Sequence, residues 1–219
     1  NKIKNFVLLI GSLCFYFVGT IHNPEHFILF ILSIVADFAI GIWIEKFPAR
    51  KKVLLATGII FHLINFAVFK YFGFVINEMA RLNPNFNFTA DIVLPIGISF
   101  YTFQGISYIV DVYRGNAKAE RSLLRYAVYI SMFEQLIAGP IVTYGQVEKE
   151  LYKRKIKASS VLKGMGVFIF GLGLKVLLAN PIGKLWSQTC AIGFESISTP
   201  LAWMAIIAFS FQIYFDFFG

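Results

Sequence analysis

Three sets of residues in this chain have types and spacings able to do chemistry. In the first, Tyr101, Gln104, Tyr108 and Asp111 recur at helical period behind Gly97, so hydroxyl, amide and carboxylate groups share one helix face. The second is Glu134 and Gln135, just before the helix-breaking IAGPIV. The third is Gln212 and Asp216, spaced i and i+4 near the end of a long apolar run. Turned toward acyl chains, such groups would carry unmet hydrogen-bonding potential, so they must face other helices or a wet cavity. They suit the wall of a site. They also suit interhelical glue, with Gly97 and Gly105 admitting close backbones, and Asp216 has a further reading as a carboxylate solvated at the membrane boundary.

The chain offers no assembled catalytic set. Of its three histidines, His22 and His26 flank the turn HNPEH, and His62 lies one helical turn before Asn65. None makes a ligand cluster, so no metal site is expected. His62 reads as a packed helix residue. No spacing pairs Ser, His and Asp or Cys and His, and GLGLK at Gly171–Lys175 reads as a small-residue packing face. Cys14 and Cys190 lie far apart in sequence and suggest no disulfide framework.

The elements that must position these residues are membrane helices. The composition is 58% hydrophobic and only 15% charged, far more apolar than an average soluble domain. The formal charge of +8 sits at the ends of apolar segments, as the positive-inside rule predicts, and forms no separate basic domain, so a nucleic-acid partner is not expected. Apolar spans occur at 5–21, 26–44, 53–76, 92–110, 161–179 and 201–218. The fourth carries nineteen residues without a formal charge, roughly 28 Å of helix and close to the hydrocarbon thickness. Leu123–Gly145, with Glu134 and Gln135 at its middle and Gly139-Pro140 behind them, reads as a re-entrant hairpin. Re-entry leaves nearly all lysines and arginines on one side, whereas a spanning reading scatters them. The expected fold is therefore an all-α polytopic integral membrane protein of about six transmembrane helices plus a re-entrant helical hairpin, with a cytoplasmic N-terminus. Asn77–Asp91 is read as an external loop.

LPIGISFYTFQGISYIVDVYRG, FEQLIAGPIVTYGQV, FKYFGFVIN and the terminal FQIYFDFFG together resemble the membrane-bound O-acyltransferase family, in its bacterial branch of alginate and peptidoglycan O-acetylation and teichoic-acid D-alanyl transfer. The resemblance covers nearly the whole chain, from Lys4 to Gly219. It departs from the family pattern at Glu134, Thr143 and Phe218. The resemblance implies one transmembrane domain over 1–219, the N-terminal part of a helical bundle around a tunnel. Through that tunnel, the resemblance implies, an acyl group, acetyl in the O-acetylation members of this branch, passes to hydroxyls of an extracytoplasmic envelope polysaccharide. It implies an acyl thioester or acyl carrier as donor with no bound cofactor, the lipid bilayer and acyl-carrier or envelope-acetylation proteins as partners, and the bacterial cytoplasmic membrane as location. It also implies that the catalytic histidine lies beyond residue 219, since His22, His26 and His62 all precede its place, so that this stretch alone is expected to be inactive. Tyr101, Gln104, Tyr108, Asp111, Glu134, Gln135, Gln212 and Asp216 are then candidates for lining the tunnel. A transporter or channel and a noncatalytic membrane scaffold are the alternatives; inverted repeats would favour the transporter, and none is visible.

Overall fold

The computed structural model describes residues 2–83, 88, 92–136, 139–154, 157–193 and 195–219. Helices account for the ordered elements, and no strand occurs among the described residues. Contacts divide the chain into two compact units, Asn1–Ile137 with Ile141–Arg154, and Ala138–Pro140 with Lys155–Gly219.

The first unit opens with α1 (Lys2–Gly19) and α2 (Pro24–Lys46). Pro24 begins α2 where its missing N–H removes nothing, while Glu25 in the first turn and Lys46 in the last suit the helix dipole. A 3-10 turn at Pro48–Arg50 leads into α3 (Lys51–Ala67), which continues through a π-helical segment, Val68–Phe72, into α4 (Gly73–Leu82). The helix thus runs through Asn77–Leu82, where the sequence suggests the start of an external loop; part of the remaining stretch, with Asn85, falls outside the described residues. After it come α5 (Ile98–Arg114), α6 (Leu123–Ser131), α7 (Phe133–Leu136) and α8 (Tyr144–Tyr152). α5 packs on α2 and α3, and α1 packs on α6. The core between them holds Phe30, Ile34, Ile98, Ile109, Tyr126 and Tyr129 among others.

Two local features depart from the periodicity. α5 starts at Ile98, six residues later than the apolar run, because Pro95 has no N–H to give and Gly97 turns left-handed at φ 69°. Its far end closes on Gly115, φ 79°, with the amides of Gly115 and Asn116 on the carbonyls of Val112 and Asp111. The suspected hairpin resolves into a nine-residue α6, the short α7 and a non-helical passage before α8; nine residues rise only about 14 Å, too little to span. Thr143 and Gln146 form a capping box that starts α8. Ile137 and Ala138 lie outside the described residues.

The second unit holds α9 (Ala158–Gly173), a π-helical segment (Leu174–Ala179), α10 (Asn180–Ile192) and α11 (Thr199–Phe218). α10 and α11 pack together, with Trp186 stacked on Phe209 at 4.7 Å and Gly183 against the Gln212 side chain. Val167, Phe168, Ile169 and Phe170 are exposed on α9, as lipid contact requires. Among the described residues five helices are long and apolar enough to cross a membrane, Lys2–Gly19, Pro24–Lys46, Pro48–Leu82, Ala158–Ile192 and Thr199–Phe218. The fourth predicted span falls short of that set, since α5 has 17 residues.

Candidate functional site, a polar core between apolar helices

A fully buried carboxylate, Asp37, lies midway along α2 in the first unit. An uncompensated carboxylate among apolar helices is strongly disfavoured, so it must be paired. His62 of α3 supplies its Nε2 at 2.7 Å from Asp37 Oδ1, and the Tyr126 hydroxyl of α6 donates to Oδ2 at 3.2 Å. Asp37 and His62 are each 1% exposed. α5 can lie over the pair only because Gly105 faces it: a Cβ there would collide with the Asp37 carboxylate and sit 2.8 Å from His62 Nε2.

A second polar node is built on Glu120, 1% exposed, in the link between α5 and α6. Arg125 holds it with Nη2 at 2.6 Å and Nε at 2.9 Å. The Tyr144 hydroxyl donates at 2.6 Å, and the amides of Arg121 and Ser122 donate at 2.7 and 2.8 Å. Burial alone would raise the Glu120 carboxyl, but the Arg125, Tyr144 and backbone hydrogen bonds outweigh it and hold it below the usual carboxylate range. Beside this node Glu45 pairs with Arg121 and accepts the Ala119 amide at 2.6 Å.

Tyr108 of α5 joins the two nodes. Its hydroxyl accepts the Glu120 amide at 2.9 Å, and its ring lies 4.6 Å from Tyr126 and 5.3 Å from Tyr144. Its edge fits against Gly41 of α2, where a Cβ would meet the phenol at 2.8 Å. Tyr129 extends the cluster, donating to the Val142 carbonyl at 2.9 Å and so tying α6 to the passage before α8.

The stripe read from the sequence is on the buried face of α5. Tyr101, Gln104 and Tyr108 are all buried, whereas Asp111 is half-buried at the helix end and Gly97 forms the cap. Among the described residues the Tyr101 hydroxyl and Gln104 Oε1 have no hydrogen-bond partner, nor do the Tyr16 hydroxyl, Ser12 Oγ, Thr102 Oγ1 and Ser131 Oγ. Tyr16 and Tyr101 flank one ring, Phe30, at 4.1 and 5.1 Å. Gln135 donates to the Tyr129 carbonyl at 2.6 Å, while Glu134 is exposed. In the second unit Gln212 is half-buried with an unpartnered Oε1, and Asp216 pairs with Lys175 at 2.6 Å.

Asp37, Glu120 and Tyr126 do not stand out in the periodicity, and His62 reads from sequence as ordinary packing. One signal could have found the first pair. An acid inside an apolar span needs a partner, and the short α2–α3 turn brings the chain back antiparallel with His62 near the depth of Asp37. Glu120 carries no such signal, because a loop acid is ordinarily solvated.

A bundle of apolar helices around a paired carboxylate and a row of buried tyrosines defines a polytopic membrane protein with a polar interior. Among curated proteins, the chain is 31% identical over its whole length to the probable alginate O-acetylase AlgI of Pseudomonas aeruginosa, covering 42% of that protein. It is 30% identical over 97% of its length to the peptidoglycan O-acetyltransferase of Helicobacter pylori, covering 45%, and 24% identical over 90% to the teichoic acid D-alanyltransferase of Lacticaseibacillus rhamnosus, covering 60%. The chain belongs to the membrane-bound O-acyltransferase family. It spans less than half the length of the first two relatives. No protein-family model and no solved structure matches it.

Proposed function

We propose that this chain is part of an enzyme that moves an acyl group, acetyl in the first instance, through the bacterial cytoplasmic membrane to hydroxyls of an extracytoplasmic envelope polysaccharide. The observation that carries the reading is the likeness over the full chain to proteins named for O-acetylation of alginate and peptidoglycan. The buried hydroxyls and the Gln104 Oε1 that have no partner among the described residues support it, since a polar conduit needs groups left free to meet a passing substrate. An acyl thioester or acyl carrier is the donor. The base that takes the acceptor proton is assigned outside this chain on the family resemblance, since His22, His26 and His62 all precede its place there, and His62 is shut in a buried pair with Asp37. The chain's own part is to shape and polarise the route.

In the native cell, deleting the gene is expected to remove most base-labile acetate from the isolated envelope polysaccharide. Gln104→Leu should reproduce much of that loss at unchanged protein level, since the amide oxygen it removes is buried without a hydrogen-bond partner among the described residues. Acetate unchanged on deletion would overturn the acyl-transfer reading; protein level falling in step with acetate in Gln104→Leu would make the amide interhelical glue.

The orientation has its own test. The charge asymmetry puts Lys153 in the cytoplasm and Asn85 outside. With Cys14 and Cys190 replaced by serine, a cysteine at 85 should react with an impermeant thiol reagent on intact cells and one at 153 should not. The reverse pattern would invert the topology.

A further inference from the structure

We infer that the first unit carries a built site for one anionic phospholipid, with the phosphate at the start of α1 and an acyl chain laid between α1, α2 and α6. Two cavities meet there. A cleft of about 490 Å³ is lined by Lys2, Asn5, Ser122, Arg125 and Tyr152, and a groove of about 310 Å³ by Leu9, Leu13, Ile31, Val35 and Leu123; Leu124 lines both. One is polar and basic, the other apolar, and the shared leucine makes them successive parts of one path.

The helix that forms most of the wall is patterned for this. Lys2, Asn5, Leu9 and Leu13 follow one another at steps of three and four, so a single stripe of α1 changes from cationic to amide to aliphatic. From Asn5 to Leu13 the stripe descends about 12 Å, the depth over which a lipid passes from phosphate to the upper acyl chain. α1 and α2 are both long enough to cross a membrane, so this end of α1 sits at headgroup level.

Charge selects the headgroup. Arg125 is answered by Glu120 at 2.6 Å, which fixes its guanidinium but cancels its charge. Lys2 in the wall adds a positive charge, and Arg154 stands beside the wall with its Nη2 at 3.3 Å from Asn5 Oδ1. The cleft therefore keeps a positive excess suited to a phosphodiester whose headgroup carries no balancing ammonium. A soluble phosphate ester would fill only the cleft, leaving the groove with no occupant. Lipid is present throughout the bilayer that surrounds these helices, so an amphipathic site facing it is filled by lipid first. This reading does not depend on the acyl-transfer proposal and would hold for any function of the chain.

The test is native mass spectrometry of the detergent-purified protein after delipidation, offering phosphatidylglycerol, phosphatidylcholine and glycerol 3-phosphate in turn. One phosphatidylglycerol should be retained in preference to phosphatidylcholine. Lys2→Gln should lower that retention about fivefold, the effect of removing one basic side chain near an anionic headgroup. Val35→Trp, which fills the groove from an exposed position, should lower it with the cleft intact. Both side chains lie at exposed positions, so both variants should accumulate normally. Equal retention of the two lipids by the unaltered protein would overturn the site. So would phosphatidylglycerol retention untouched by Val35→Trp together with equally strong binding of glycerol 3-phosphate, which would make a soluble phosphate ester the occupant.

Discussion

Glu120→Ala is expected to lower the thermal midpoint of the detergent-solubilised protein by on the order of 10 °C, corresponding to about 3 kcal/mol. The substitution removes the acceptor that gathers Arg125, Tyr144 and two backbone amides, leaving those amides and the Tyr144 hydroxyl without their acceptor and the part-buried Arg125 guanidinium without its counter-charge. Breaking a buried pair from one side is far more damaging than never having had it. The pH dependence has a definite sign. Because the folded carboxyl is held below its ordinary value of 4.5, its stabilisation is complete above that value and is lost as pH falls through the depressed one. The midpoint should be level from neutral pH down to about pH 5 and decline below it, with a smaller decline in Glu120→Gln. A Glu120→Ala midpoint within a degree or two of the original would show that the node contributes nothing to the fold.

The second large effect concerns the contact where α5 crosses the Asp37–His62 pair. Gly105→Val should prevent accumulation of folded protein in the membrane, with a cost of about 4 kcal/mol or more. The new side chain cannot be accommodated by a rotamer change alone: its Cβ already overlaps the carboxylate and crowds the imidazole. Either α5 withdraws, opening its packing on α2 and α3, or the buried pair separates and leaves a charge in an apolar setting. Gly11→Ala is the control. A Cβ at Gly11 meets nothing within 4 Å, and alanine in a helix interior gains about 0.5–1 kcal/mol over glycine, so that variant should match or exceed the parent. Quantifying membrane-extracted monomer by size-exclusion chromatography separates the two; equal yields would mean that α5 does not press on the pair.

The helical class, the early spans and the buried face of α5 were legible in the sequence because hydropathy and helical period report directly on which surface meets lipid and which meets protein. Tyr101, Gln104 and Tyr108 lie on that buried face for this reason. The continuation of the third span from residue 76 to Leu82, and of the fifth through Asn180–Ile192, was not legible. The apolar run ends at residue 179, yet the π-helical segment there carries the helix on through Asn180 and Pro181, and hydropathy does not register a change in hydrogen-bond step. Polar nodes are harder still. The pairing of Asp37 with His62 and the gathering of groups around Glu120 join residues from separate segments, and the spacing within any one segment is silent about such meetings.

The continuous helix Pro48–Leu82 is 35 residues long, about 52 Å against a hydrocarbon layer of about 30 Å. Its own residues mark where that layer fits. Lys51 opens α3 and Lys70, nineteen residues on, stands in the π turn with its ammonium over the Phe66 and Tyr71 rings at 4.9 and 5.8 Å. The two cations are separated by about 28 Å along the axis, close to the thickness of an ordinary hydrocarbon slab. The helix is thereby indexed to one depth. A thicker bilayer must either draw the Lys70 ammonium into hydrocarbon or thin locally around it, a penalty of fractions of a kcal/mol for each ångström of hydrophobic mismatch. Acyl-chain length in the host membrane thus becomes a mechanical setting for this helix, acting at a point two residues from a change in its hydrogen-bond step.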